Sequence, residues 1–105
     1  MLKVYTAMID VLSPLRPVLG QIERHDRDLG RQLRRASASV ALNIAEGSGS
    51  TRGTKKARYG TALGSARETR ACLDVAIALG YCGQVDGRLL SRLDEVRAML
   101  GALVR

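Results

Sequence analysis

Asn43 and Glu46 stand three residues apart in the run QLRRASASVALNIAEGSGS, residues 32–50. On a helix that spacing puts an amide and a carboxylate on one face. A carboxylate among Val, Leu, Ile and Ala is one whose proton affinity burial can raise, and such a group can serve as a general acid or base. That chemistry needs a second group, and none stands at a useful spacing. His25 lies in the His25-Asp26-Arg27-Asp28 turn, well before the run, and Ser37 and Ser39 have no His or Lys companion. Gly47-Ser48-Gly49 lacks the lysine of a phosphate-binding loop and follows no strand, so it reads as a helix C-terminus ended by glycine. Cys72 and Cys82 have no metal-ligand spacing; Cys72 reads as a small apolar filler and Cys82 as a turn residue, with a disulfide between them left open. We therefore assign no catalytic residue, no metal site and no cofactor, and expect a protein that is not an enzyme. The pair reads instead as part of a structural set: Val40, Asn43, Ile44, Glu46 and Gly47, with Arg67 and Glu68 from a later segment. A buried Glu46 needs a partner. Arg67 and Arg70, from the same subunit or the next, are the candidates, and such a network fixes the register between helices.

The cations carry a stronger signal. From Gly47 through Arg67 there are Arg52, Lys55, Lys56, Arg58 and Arg67 and no acid before Glu68. Four of these crowd the start of a predicted helix, where cations oppose the helix dipole and acids are the usual choice. A locally unfavourable choice points to a use elsewhere, such as contact with phosphate. A second cluster, Arg24, Arg27, Arg31, Arg34 and Arg35, is diluted by Asp26 and Asp28. The whole chain carries 17 Lys and Arg against 10 Asp and Glu, a formal +7, which suits a polyanionic partner: nucleic acid, or an acidic protein surface. We take Arg31, Arg34, Arg35, Arg52, Lys55, Lys56 and Arg58 as the nucleic-acid-binding set. With three Tyr and neither Phe nor Trp there is little for bases to stack on, so phosphate contact without sequence reading is expected.

Helices must position these groups. The 105 residues suit a single domain, residues 1–105, with an aliphatic core, since 46% of the chain is hydrophobic and only 3% aromatic. Val4, Met8, Val11, Leu15, Val18 and Ile22 form one helical seam, with Pro14 and Pro17 beside it predicting a kink, or a break near Ser13. A second segment runs from about Leu29 to Gly47 with two stripes, Leu33-Ala36-Val40-Ile44 and Ala38-Leu42-Ala45. A helix apolar on so much of its circumference predicts burial from several sides and hence a second subunit. A third runs from about Thr54 to Leu79, its Gly60 and Gly64 predicting close approach to a neighbour; the fourth carries Leu89, Leu93, Val96, Leu100 and Leu103. Short breaks around Arg24–Asp28, Ser50–Gly53 and Gly80–Gly83 make consecutive helices antiparallel. The expected fold is all-α, an up-down-up-down four-helix bundle that assembles as a homo-oligomer. The start, MLKVYTAMIDVLSP, has none of the parts of a signal peptide, and no apolar run approaches the roughly 20 residues of a membrane span. A cytoplasmic protein with no membrane partner is the expectation.

The run LRRASASVALNIAEGSG, followed by ALGSARE and ALGY, resembles one family. These are small bacterial four-helix-bundle proteins encoded within intervening sequences of 23S rRNA genes; the accessory variability determinant, Avd, of diversity-generating retroelements is a more distant relative. The most specific part is Asn43-Ile44-Ala45-Glu46-Gly47, then Gly64-Ser65 with Arg67-Glu68, then Leu79-Gly80-Tyr81. The chain departs from the family's pattern at Pro14 and Pro17 and in Gly49-Ser50-Thr51, which lacks a charged residue often found there. The resemblance implies a homopentamer without known catalytic activity and, in the Avd branch, binding to nucleic acid and to a reverse transcriptase. The sequence thus supports a non-enzymatic basic bundle that binds nucleic acid, most naturally RNA or an RNA–protein complex, and the resemblance to Avd implies a role as an accessory to a reverse transcriptase. The alternative is a protein-interaction scaffold for an acidic protein.

Overall fold

The computed structural model describes residues 2–105, which form four helices: α1 Lys3–His25, α2 Arg27–Ser48, α3 Arg52–Ala78 and α4 Gly87–Val104. They run up-down-up-down. Helix α1 packs on α2 and α4, and α3 packs on the same two, so the helices stand at the corners of a square around a shared core. The rod measures 42 × 24 × 20 Å, its length set by α3, whose 27 residues rise about 40 Å.

The aliphatic seams meet in the middle. Met8, Val11, Leu15 and Ile22 of α1, Leu33, Val40 and Ile44 of α2, Leu73 of α3 and Leu93, Val96 and Leu100 of α4 are fully buried. Each such side chain contributes about 1.5–3 kcal/mol by leaving water. Ser37 and Thr69 are the exceptions to the apolar rule; the Thr69 hydroxyl donates to the Ser65 carbonyl at 2.8 Å and the Ser37 hydroxyl to the Arg34 carbonyl at 3.1 Å. Leu103, placed on the α4 seam by its spacing, is 41% exposed near the helix end.

Helix α1 is unbroken through Pro14 and Pro17, so of the two alternatives expected there, a kink or a break near Ser13, the break does not occur. Both prolines are exposed, so the carbonyls of Asp10 and Ser13 that lose their N–H partners lie on the wet side, where water replaces the bond. Leu15 and Leu19 remain buried beside them and hold the helix to its neighbours. The α1–α2 joint is tighter than the predicted break over Arg24–Asp28: Asp26 alone separates the helices, and its carboxylate accepts from the Leu29 N–H at 3.0 Å.

Leu79-Gly80-Tyr81 has a definite physical role. Gly80 takes φ +73°, its N–H donates to the Ile77 carbonyl, and the Tyr81 N–H reaches back to the Ala76 carbonyl at 2.9 Å. This left-handed cap closes α3, and only glycine adopts it without strain. Tyr81 then stacks on His25, ring centroids 5.4 Å apart and 7° from parallel, fastening the α3–α4 loop to the end of α1. Asp86 caps α4 by accepting from the Arg88 N–H at 2.9 Å.

Two expectations about small residues change. Gly60 and Gly64 face open space rather than a neighbouring backbone. Close approaches are instead at Gly30, against Glu23 of α1, and at Gly47, where a Cβ would lie 2.6 Å from Cε1 of Tyr59. Of the two α2 stripes, Leu33-Ala36-Val40-Ile44 is buried, but Ala38, Leu42 and Ala45 are exposed, Leu42 at 64%. Within one chain, then, α2 is covered on one side only.

Candidate nucleic-acid interface

The α2–α3 turn, residues 49–51, sets the register of everything near it. Antiparallel helices leaving one turn face each other at positions roughly equidistant from it. Glu46 therefore meets Arg58, at 2.9 Å, and not Arg67 or Arg70, which lie two and three turns farther along α3. Arg58 also donates to the Asn43 side-chain oxygen at 3.5 Å. The Asn43 amide in turn donates to the Ser39 carbonyl at 2.9 Å and the Ser39 hydroxyl at 3.1 Å, and Ser39 and Ser65 share a hydroxyl hydrogen bond of 2.8 Å across the interface. Below them the Gln32 amide donates to Glu68 at 3.3 Å. These bonds make a polar ladder along the rim of the α2–α3 seam, with Val40, Ile44 and Gly47 buried beneath it.

Glu46 is not the buried carboxylate that its apolar neighbours suggested. It projects from the outer edge of α2, its side chain 57% exposed. Arg70 is engaged elsewhere, with Asp74 at 3.0 Å and Asp94 at 3.3 Å, and Arg67 is exposed and makes no ion pair among the described residues. The set grouped by sequence therefore holds together as Asn43, Glu46 and Gly47 on one side and Arg58 and Tyr59 on the other, while Arg67 lies outside it.

Ion pairing sorts the cations. Arg58 is held by Glu46, Arg34 by Glu23 at 2.8 Å, Arg92 by both Asp10 and Glu95, and Arg97 by Asp94. Hydrogen bonding to Asp10, then to Glu95, raises the proton affinity of Arg92 further. Among the described residues Arg52, Lys55, Lys56, Arg31 and Arg35 make no ion pair. Arg52 and Lys56 are exposed and Lys55 is half-buried over the end of the bundle. Thr51 precedes α3 without capping it through its side chain, and no acid stands in the first turn. The leading N–H groups of α3 thus face solvent beside three unpaired cations, a combination that attracts anions.

The topology adds two cations that sequence reasoning missed. Because α1 begins and α4 ends at the α2–α3 turn, Lys3 and Arg105 lie at this same end of the rod. Among the described residues the acids within about two helical turns of that end are Glu46, paired with Arg58, and Asp10, paired with Arg92. The up-down-up-down order was the signal that places them there. Arg31, Arg34 and Arg35 lie in the other half of α2 and do not join this group.

Cys72 and Cys82 are free thiols. Burial, and then the nearby Glu68, pushes the Cys72 thiol up, and burial does the same to Cys82, so neither is an activated nucleophile. Among the described residues no group of three or more His, Cys, Asp or Glu is placed to hold a metal ion, and no helix is long and apolar enough to cross a membrane.

Residues 2–102 match the family described as 23S rRNA-intervening sequence protein. No curated protein matches the chain. A similar solved structure is that of a protein with unknown function from the S23 ribosomal protein family of Bacteroides thetaiotaomicron. It is 18% identical, with a TM-score of 0.83, over 97% of this chain and 98% of that one.

Proposed function

This chain belongs to the 23S rRNA-intervening sequence protein family, and with that as premise we propose that it is a non-enzymatic, basic bundle that binds RNA through phosphate contacts at the α2–α3 end. One observation carries the reading: Arg52, Lys55 and Lys56 are unpaired and sit beside the uncapped start of α3, while six of the ten acids, Asp10, Glu23, Glu46, Asp74, Asp94 and Glu95, are engaged by arginines. Among the described residues, no unpaired acid stands beside these cations to offset them. Lys3 and Arg105 extend this group across the end of the rod. Arg58 contributes less to phosphate contact than its position in the sequence suggested, since Glu46 holds it.

Assembly of several copies belongs to the same proposal, with five copies taken from the family resemblance. Leu42, and Val75, Ile77 and Leu79 at the far end of α3, are exposed and supply apolar surface for subunit contact. A ring of copies would repeat the basic end and strengthen weak contacts by avidity. A reverse transcriptase is the protein partner that the distant likeness to Avd brings into the proposal. Glu46, exposed and paired, supports a structural role over a catalytic one.

Fluorescence anisotropy of labelled single-stranded RNA and of duplex DNA, titrated at several salt concentrations, tests the reading. RNA affinity should fall steeply with salt. An affinity for RNA that is absent at low salt, or unchanged in the triple variant Arg52→Ala/Lys55→Ala/Lys56→Ala, would refute it. Native mass measurement counts the copies.

A further inference from the structure

We infer that the groove between α1 and α2 docks an acidic amphipathic helix of a partner protein. The groove has a volume of about 400 Å³ and is lined, besides two arginines, by Ile9, Leu12, Ser13 and Leu19 of α1 and Ser37 and Ala38 of α2. Leu19 is buried at its floor, while Ile9 is 42% exposed and Leu12 is half-buried. Apolar surface left open in a channel between two helices is shaped for the ridge of a third helix, which packs with residues at i, i+3, i+4 and i+7.

Charge defines the occupant. Arg16 and Arg34 stand on the rim of the groove, and Arg31 and Arg35 continue along the exposed side of α2 from Ala38. Arg34 is partly answered by Glu23, but Arg16, Arg31 and Arg35 make no ion pair among the described residues. An apolar channel flanked by unanswered arginines fits a helix with aliphatic residues on one face and Glu or Asp along its flanks. RNA would satisfy the arginines but offers no aliphatic ridge for the channel. A lipid surface accepts protruding apolar side chains rather than filling a concave slot. A second copy of this chain is a poorer match. Of the acids on its α3 and α4, Asp74, Asp94 and Glu95 are already held by Arg70, Arg92 and Arg97, Glu68 accepts from Gln32, and Asp86 caps α4. This surface is separate from the basic end proposed to hold RNA, so either can fail alone.

The test uses the full chain and two labelled synthetic peptides. Both carry Leu at i, i+3, i+4 and i+7; one has Glu on the flanking positions and the other has Lys. Anisotropy should register binding of the Glu peptide, with the Lys peptide at least tenfold weaker. Arg16→Glu/Arg31→Glu/Arg35→Glu and, separately, Ala38→Glu should each weaken the Glu peptide tenfold or more. Circular dichroism should confirm both variants as folded, and Ala38→Glu, which leaves every cation in place, should keep RNA affinity within threefold. Failure of the Glu peptide to bind, or binding indifferent to Ala38→Glu, would overturn the inference. So would Ala38→Glu splitting an assembly of copies, which would make the groove a self-interface. Loss of RNA binding in the triple arginine variant equal to that from the Arg52, Lys55 and Lys56 changes would give those arginines to nucleic acid instead.

Discussion

The two basic segments of this molecule differ in what surrounds them more than in how many cations they hold. At the start of α3, among the described residues, Arg52, Lys55 and Lys56 have no acid within reach other than Glu46, which Arg58 already occupies. On α2, Arg31, Arg34 and Arg35 follow Asp26 and Asp28, Arg34 is tied to Glu23, and the next turns carry exposed Ala38 and Leu42. The first environment is polar and convex at the end of a rod, suited to a phosphate backbone that demands charge and little shape. The second combines charge with an apolar channel, suited to a protein. Counting arginines along the chain merges the two; the fold separates them.

The largest effect that sharpens this contrast is on RNA affinity. Replacing Arg52, Lys55 and Lys56 together by Ala should weaken single-stranded RNA binding on the order of a hundredfold at moderate salt, as three phosphate contacts are lost. Next is the seam that seats α2 on α3 beside the basic end. Gly47→Ala drives a methyl into the buried Tyr59 ring and should cost about 1–3 kcal/mol, read as a lower midpoint in denaturant. Glu46→Ala, which removes one partner of an exposed ion pair, should cost no more than about 1 kcal/mol in the same titration. If Glu46→Ala proved the worse of the two, the motif would be electrostatic rather than steric. Smallest of all, Arg31→Ala/Arg35→Ala should change RNA affinity by less than about threefold, since weak long-range attraction is all it removes. A larger loss would erase the distinction between the two segments.

Much of the fold was legible because its seams are aliphatic and regularly spaced. Met8, Val11, Leu15 and Ile22 could face only one way, and the turns at Asp26 and residues 49–51 are too short for anything but antiparallel neighbours. The site was less legible, for three physical reasons. Spacing puts Asn43 and Glu46 on one face but does not say which face; the edge they occupy is wet, so Glu46 is paired at the surface rather than buried. Its partner follows from distance to the turn, a constraint that points to Arg58 and was outweighed by the apparent pairing of Arg67 and Arg70 with the motif. An apolar residue also does not announce a covering neighbour: Leu42 reads like Ile44 in the sequence, yet the two point to opposite sides of α2. Lys3 and Arg105 were invisible as site residues because only the closed square of helices brings the start of α1 and the end of α4 to the α2–α3 turn.

The central claim is that phosphate is held at the start of α3, and the salt dependence of RNA binding tests it most directly. For a single strand the slope of log affinity against log salt changes by roughly 0.7 per phosphate contact, so removal of Arg52, Lys55 and Lys56 should flatten it by about 2 relative to the unaltered chain. Parallel lines for the two proteins, at equal affinity, would contradict the account.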